Sequence, residues 1–126
     1  MTDTVVIARL TGAGVARVYE QGKVPPRPDY PYAVAGVDTG MPRARGLAGG
    51  AGTSLVRAYV QAFGRTTLSV RTLLAAADGV LNDVHLTEIP GAPRSERELA
   101  AQILRDPDDD GVLYGLHTYT WEASHQ

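Results

Sequence analysis

The sequence predicts an α+β fold, and three observations carry that expectation. Residues 54–63 and 112–122 alternate with the period of a β-strand, placing successive side chains on opposite faces. Residues 66–81 instead repeat apolar side chains at helical spacing, with Val70, Leu73, Leu74, Ala77 and Leu81 on one stripe. Between residues 25 and 31, four of the chain's eight prolines fall within seven positions. Each proline fixes its own φ and pushes its predecessor out of the helical region, so this stretch runs extended.

Taken in order, the first ten residues fit two elements. Val5-Val6-Ile7 suits a strand, whereas Thr2 or Asp3 can cap a short helix that buries Val6 and Leu10; helix is the reading adopted. Gly12 and Gly14 break that element, and a strand is expected at 18–20. The proline segment follows, then a second strand at 32–37. From Gly40 to Gly52 five glycines and almost no large apolar side chains predict an exposed mobile loop. In the strand at 54–63, Val56, Ala58, Val60 and Ala62 share one face, while Leu55, Arg57, Tyr59, Gln61 and Phe63 share the other. Gly64 turns the chain and Thr66 or Thr67 caps the helix.

A short strand is expected at 84–89. Two readings then compete over 95–104: Ser95-Glu96-Arg97-Glu98 fits a capping box, yet the segment leads directly into a tight acidic turn and a strand. In the last strand Val112, Tyr114, Leu116, Thr118 and Thr120 alternate against Leu113, Gly115, His117, Tyr119 and Trp121. The whole of 1–126 is expected to be one domain, with a single core and no internal repeat.

Composition excludes several classes of function. With no cysteine among 126 residues, disulfides, thiolate nucleophiles and zinc-thiolate sites are ruled out together. A net charge of −2 is unlike the basic footprint of a nucleic-acid binder. The longest apolar runs fall far short of the ~20 residues that span a bilayer, and no basic-then-apolar start suggests a secretory leader. Hydrophobic content of 44% with 21% charged residues fits a globular chain.

Motifs that suggest chemistry each fail at a named position. Gly12-Ala13-Gly14 lacks the third glycine and crossover helix of a dinucleotide loop, and no lysine precedes Thr53 in the Gly46–Ser54 stretch. Asp106, Asp108 and Asp110 with Gly111 mimic a calcium loop, but His117 stands where the bidentate glutamate belongs and Pro107 stiffens the turn. A hairpin turn with solvated carboxylates accounts for the same residues. His85, His117 and His125 lack metal-ligand spacing, and no serine sits in a Gly-x-Ser-x-Gly elbow. His117 could pair with an aspartate across the sheet as a catalytic group, but it is read as a cross-strand structural histidine, and His125 as part of a frayed tail. Tyr59, Tyr114, Tyr119 and Trp121 are read as packing across the sheet. No catalytic, cofactor or metal-binding residue is assigned, and the chain is read as a non-enzyme.

The order of features matches a known pattern. Val18-Tyr19 precedes Val24-Pro25, then Pro31-Tyr32, a glycine-rich loop, and a strand ending Val60-Gln61-Ala62-Phe63-Gly64. A helix with Val70 and Arg71, an acidic turn and an aromatic strand complete it. Over roughly residues 15–122 this resembles the tail terminator, or tail completion, proteins of long-tailed bacteriophages and prophages. The resemblance implies an antiparallel or mixed sheet with about two helices packed on one face, and assembly into a six-membered ring. That ring would cap the head-proximal end of the tail tube in the virion after assembly in the bacterial cytoplasm. Its implied partners are further copies of the chain, the tail tube protein and a head-completion or connector protein, with DNA passing through without specific binding and no membrane.

A ring of identical subunits needs one patch to meet a different patch on the neighbour. Arg43 and Arg45 on the glycine-rich loop and Asp108, Asp109 and Asp110 on the turn are opposite in charge, and are the candidate subunit or partner contacts. Solubility of an exposed loop accounts equally for the arginines. The competing functions are another neck or head-closure protein and a small metal- or ligand-binding module on the acidic turn.

Overall fold

The computed structural model describes residues 3–42, 53–83, 95–99, 102–107 and 109–124. The elements run α1 (Asp3–Gly12), β1 (Val18–Glu20), β2 (Tyr32–Pro42), β3 (Thr53–Gly64), α2 (Thr67–Leu81), β4 (Glu96–Leu99), β5 (Leu104–Asp106) and β6 (Asp109–Ser124). The strands form one mixed sheet in the order β1-β2-β3-β6-β4, and β5 also pairs with β6. β1 lies parallel to β2, and the remaining pairs are antiparallel. Parallel neighbours need a crossover. Here the extended proline segment at 21–31 supplies it in place of a helix.

Residue 3 begins the helix expected near the N-terminus, and Asp3 also anchors it. Its carboxylate accepts the backbone N–H of Val37 at 2.7 Å, tying the first turn of α1 to β2. The helix ends in a Schellman motif. Val15 N–H reaches Leu10 C=O and Gly14 N–H reaches Thr11 C=O, both at 3.1 Å, with Gly14 at φ 94° where a side chain would be strained. Leu10 and Val15, brought together by that motif, are both buried in the core.

α2 starts where its capping box dictates. Thr66 accepts the N–H of Ser69 through its hydroxyl, and Ser69 returns a bond to Thr66 N–H. The apolar stripe Val70, Leu73, Leu74, Ala77 and Leu81 is buried throughout. It packs with Val6 and Leu10 of α1 on one face of the sheet, against Ala33, Ala35, Val56, Ala58, Val60, Ala62, Tyr119 and Trp121. Register explains why these strand residues share a face: Ala33, Ala62 and Gly115 lie opposite one another in turn, as do Val37, Ala58 and Tyr119. Both helices therefore cover the same side. Each large side chain buried there contributes roughly 1.5–3 kcal/mol.

Two differences from the sequence expectation, and the choice it leaves open at 95–104, have physical causes. β2 continues past residue 37 to Pro42, because β3 offers pairing partners that far, with an irregularity between Asp38 and Met41. The last strand begins at Asp109 and not at 112, since the hairpin with β5 pairs Asp106 with Asp109. The capping-box helix at 95–104 does not form. Glu96–Leu99 pairs with the edge of β6 as a strand, and the buried Ser95 hydroxyl is spent on Leu81 C=O instead of a helix N-terminus. The expected strand at 84–89, most of the 40–52 loop and His125 lie outside the described residues.

Candidate assembly surfaces

The most connected polar cluster joins α2 to β6. Asp78 follows buried Ala77 on the flank of α2 that meets the sheet, and Tyr119 and His117 point inward from β6. The Tyr119 hydroxyl donates to Asp78 Oδ1 at 2.7 Å, His117 Nδ1 lies 3.1 Å from the same oxygen, and Arg97 donates to Oδ2 at 2.7 Å. A carboxylate only accepts, so the proton between His117 and Asp78 sits on Nδ1. Burial pushes the His117 imidazole below its ordinary value, and the Asp78 charge opposes that only in part. Burial and the bond to Asp78 drive the Tyr119 phenol upward, keeping it a neutral donor. Helix α2, β6 and β4 are thus tied to one carboxylate. The arrangement locks elements together.

Beside this cluster a cleft of about 730 Å³ opens between α2 and the β5–β6 hairpin. Arg71 and Asp78 come from one flank of α2, Leu113 and His117 from the helix-facing side of β6, Arg105 from β5 and Ile103 from just before it. Arg105 lies opposite Leu113, which sets it on the same side of the sheet as the helices. Within it, Asp78 is engaged by Arg97.

At the other end of the sheet stands the proline segment. Lys23 N–H closes a turn on Glu20 C=O at 3.0 Å, and Gly22 takes the positive φ of 82° that the turn requires. Residues 25–27, 29 and 31 are exposed, and the Asp29 side chain keeps 84% of its surface, 3.9 Å from Arg17. The guanidinium of Arg65 covers the Tyr30 ring at 4.6 Å.

The face of the sheet away from the helices carries an aromatic row. Tyr19, Tyr32, Phe63 and Tyr114 come from β1, β2, β3 and β6 in turn, with centroids 5.9, 4.8 and 6.1 Å apart. Tyr32, Phe63 and Tyr114 are directly opposed in register. Leu104, opposite Tyr114 and 46% exposed, extends the row onto β5. Nearby, the Tyr59 ring lies over Gly36, its cross-strand partner, in space that a side chain at 36 would fill.

Of the residues put forward from sequence, Arg43, Arg45 and Asp108 lie outside the described residues. Asp109 and Asp110 open β6, so the acidic segment forms a hairpin, as expected. The chain is extended from Asp109 onward, which leaves no twelve-residue wrap for calcium. Among the described residues no group of three or more His, Asp or Glu side chains is placed to hold a metal ion. His117 meets Asp78 on α2, and not an aspartate across the sheet. Tyr119 and Trp121 are in the core, while Tyr59 and Tyr114 pack across the outer face. Asp29, Arg71, Asp78 and Arg105 were not singled out from sequence. A charge held on a proline-rigid segment was the available signal for Asp29.

No protein-family model matches the chain, and no curated protein matches it. Among solved structures, the fold is similar to that of a chain in the "Virion of native gene transfer agent (GTA) particle". The TM-score is 0.63 at 15% identity, over 94% of this chain and 86% of that one. At that identity the likeness establishes the fold, including the mixed sheet with two helices on one face.

Proposed function

We propose that this protein is a structural component of a phage-like virion, and within it the tail terminator: a ring, of six subunits, that caps the head-proximal end of the tail tube and ends its growth. The observation that carries the reading is the shared fold with a virion chain over nearly the whole length. Two features support it. The polar cluster at Asp78 is internally satisfied and joins elements, as a rigid building block needs, and the sheet ends in different surfaces that suit head-to-tail association. The chain acts by assembly and not by catalysis. Its partners are copies of itself, the tube protein and a head-completion protein, with Arg43, Arg45 and the Asp108 to Asp110 turn among the contacts.

Adding the purified protein to polymerising tail tube protein tests this. Tubes should stop growing and carry a ring at one end in negative-stain images, and light scattering should give the mass of a closed oligomer. Replacing Arg43 and Arg45 together by alanine should weaken capping. Tubes that grow to the same length with and without the protein would overturn the terminator reading, and binding to a head connector in their place would favour the head-closure role.

A further inference from the structure

We infer that Asp78, His117 and Arg97 form a proton-operated latch on the edge strand: when the His117 imidazole gains a proton, the Arg97–Asp78 ion pair that ties β4 to α2 gives way and β4 loosens. The inference goes beyond the assembly reading above and does not depend on it.

Three observations converge. The first is connectivity. Asp78 Oδ2 accepts from Arg97 at 2.7 Å, while Oδ1 accepts the Tyr119 hydroxyl at 2.7 Å and lies 3.1 Å from His117 Nδ1. A single negative charge therefore serves both the edge strand and the imidazole. The second is charge. With His117 neutral, Asp78 and Arg97 balance; a proton on the ring puts two cations on one anion, with the neutral Tyr119 phenol beside them. Arg71 of α2 and Arg105 of β5 border the same cleft, and Val60 of β3 lies opposite His117. The charges that bear on the imidazole are Asp78, which favours the proton, and Arg97, which opposes it. Such coupling is reciprocal, so the proton in turn weakens the hold of Asp78 on Arg97. The third is exposure, which decides which cation yields. The His117 side chain keeps 9% of its surface and is fixed against the helix, whereas Arg97 keeps 37% and can turn into water.

Other bonds that hold β4 involve no titrating group. The Ser95 hydroxyl donates to Leu81 C=O, Asp83 N–H reaches Ser95 C=O at 3.1 Å, and Arg97 N–H reaches Asn82 Oδ1 at 3.1 Å. They tie the start of the strand to the end of α2 at any pH. The loosening therefore falls on the Arg97 side chain and the residues up to Leu99, where the ladder with β6 is already irregular. Freeing them bares the β6 edge at Thr118 to Thr120, at one end of the sheet.

Nuclear magnetic resonance on the intact chain reads both halves of the latch. His117, assigned by the loss of its ring signal in His117→Gln, should titrate below the ordinary 6.5, and the Arg97 guanidinium signals should shift with the same midpoint. Amide protection at Arg97 and Leu99, corrected for the intrinsic rate, should fall roughly fivefold or more as His117 protonates, beyond any change at β3. Arg97→Gln should raise the His117 midpoint, and Arg97→Lys, which keeps the cation, should return it towards the wild-type value; a side chain that merely packs would move neither. In His117→Gln, protection of β4 should no longer depend on pH in this window. The latch is wrong if the His117 midpoint is the same with and without the charge at 97. It is equally wrong if β4 loosens as much in His117→Gln, which would assign the event to another titrating group.

Discussion

Asp78 gathers the most connected polar cluster among the described residues. Three donors from three other positions, Tyr119, His117 and Arg97, converge on its two oxygens. Tyr119→Phe keeps the buried ring but deletes a bond to an ionised acceptor, so it should cost about 1.5–3 kcal/mol in denaturant unfolding; a loss under about 0.5 kcal/mol would show that the bond is unimportant. His117 gives a pH signature of definite sign. Its folded pKa lies below the ordinary 6.5, so the unfolded chain takes up this proton first as pH falls. The contribution of His117 is complete above pH 6.5 and is lost progressively below it, until the folded imidazole also titrates. His117→Gln should flatten the stability profile between about pH 5 and 7, and parallel profiles for variant and wild type would contradict this. The sequence marks His117 as structural but not the carboxylate it meets. Asp78 is far away in the chain, and only the docking of α2 onto β6 brings it near, a relation that local periodicity does not encode.

Where local signals and tertiary partners agree, an element is legible, and where they compete, the partner decides. The stripe from Val70 to Leu81 and the alternation of Val56, Ala58, Val60 and Ala62 each point one way, and both are buried as their spacing requires. Thr66 supplies the start of α2. Thr66→Ala leaves Ser69 N–H without its acceptor at an exposed helix end, and should lower stability by about 1 kcal/mol with a corresponding drop in Tm. An unchanged Tm would mean that packing alone sets where α2 begins. At Ser95 the same motif fails, because the open edge of β6 offers Glu96–Leu99 a strand partner and Leu81 takes the serine hydroxyl. A capping box is worth about as much as one or two hydrogen bonds, and a sheet edge supplies more. β2 runs on to Pro42 for a similar reason, Asp38, Met41 and Pro42 being paired with β3 on either side of the irregularity.

For the molecule as a whole, the sheet order sets where the structure opens. β3 is paired along its full length by β6 and over most of it by β2, whereas β1 contributes three residues with a single partner. Opening β1 breaks few bonds and exposes little of the core; opening β3 dismantles it. The amides of Val56 to Ala62 should therefore be among the last to exchange with deuterium and those of β1 among the first. Sequence periodicity identifies such strands one by one, but the parallel pairing of β1 through a proline crossover and the sharing of β6 between β4 and β5 are properties of the assembled sheet. Association through the sheet ends makes a further demand on the same measurement. When subunits join, exchange should slow at the end strands β1, β4 and β5, while β3, already slow and remote from both ends, should not change. Slowing confined instead to the strands bearing Tyr32, Phe63 and Tyr114 would mean that subunits meet through the aromatic face, and the sheet would then stack on its neighbours and not extend toward them.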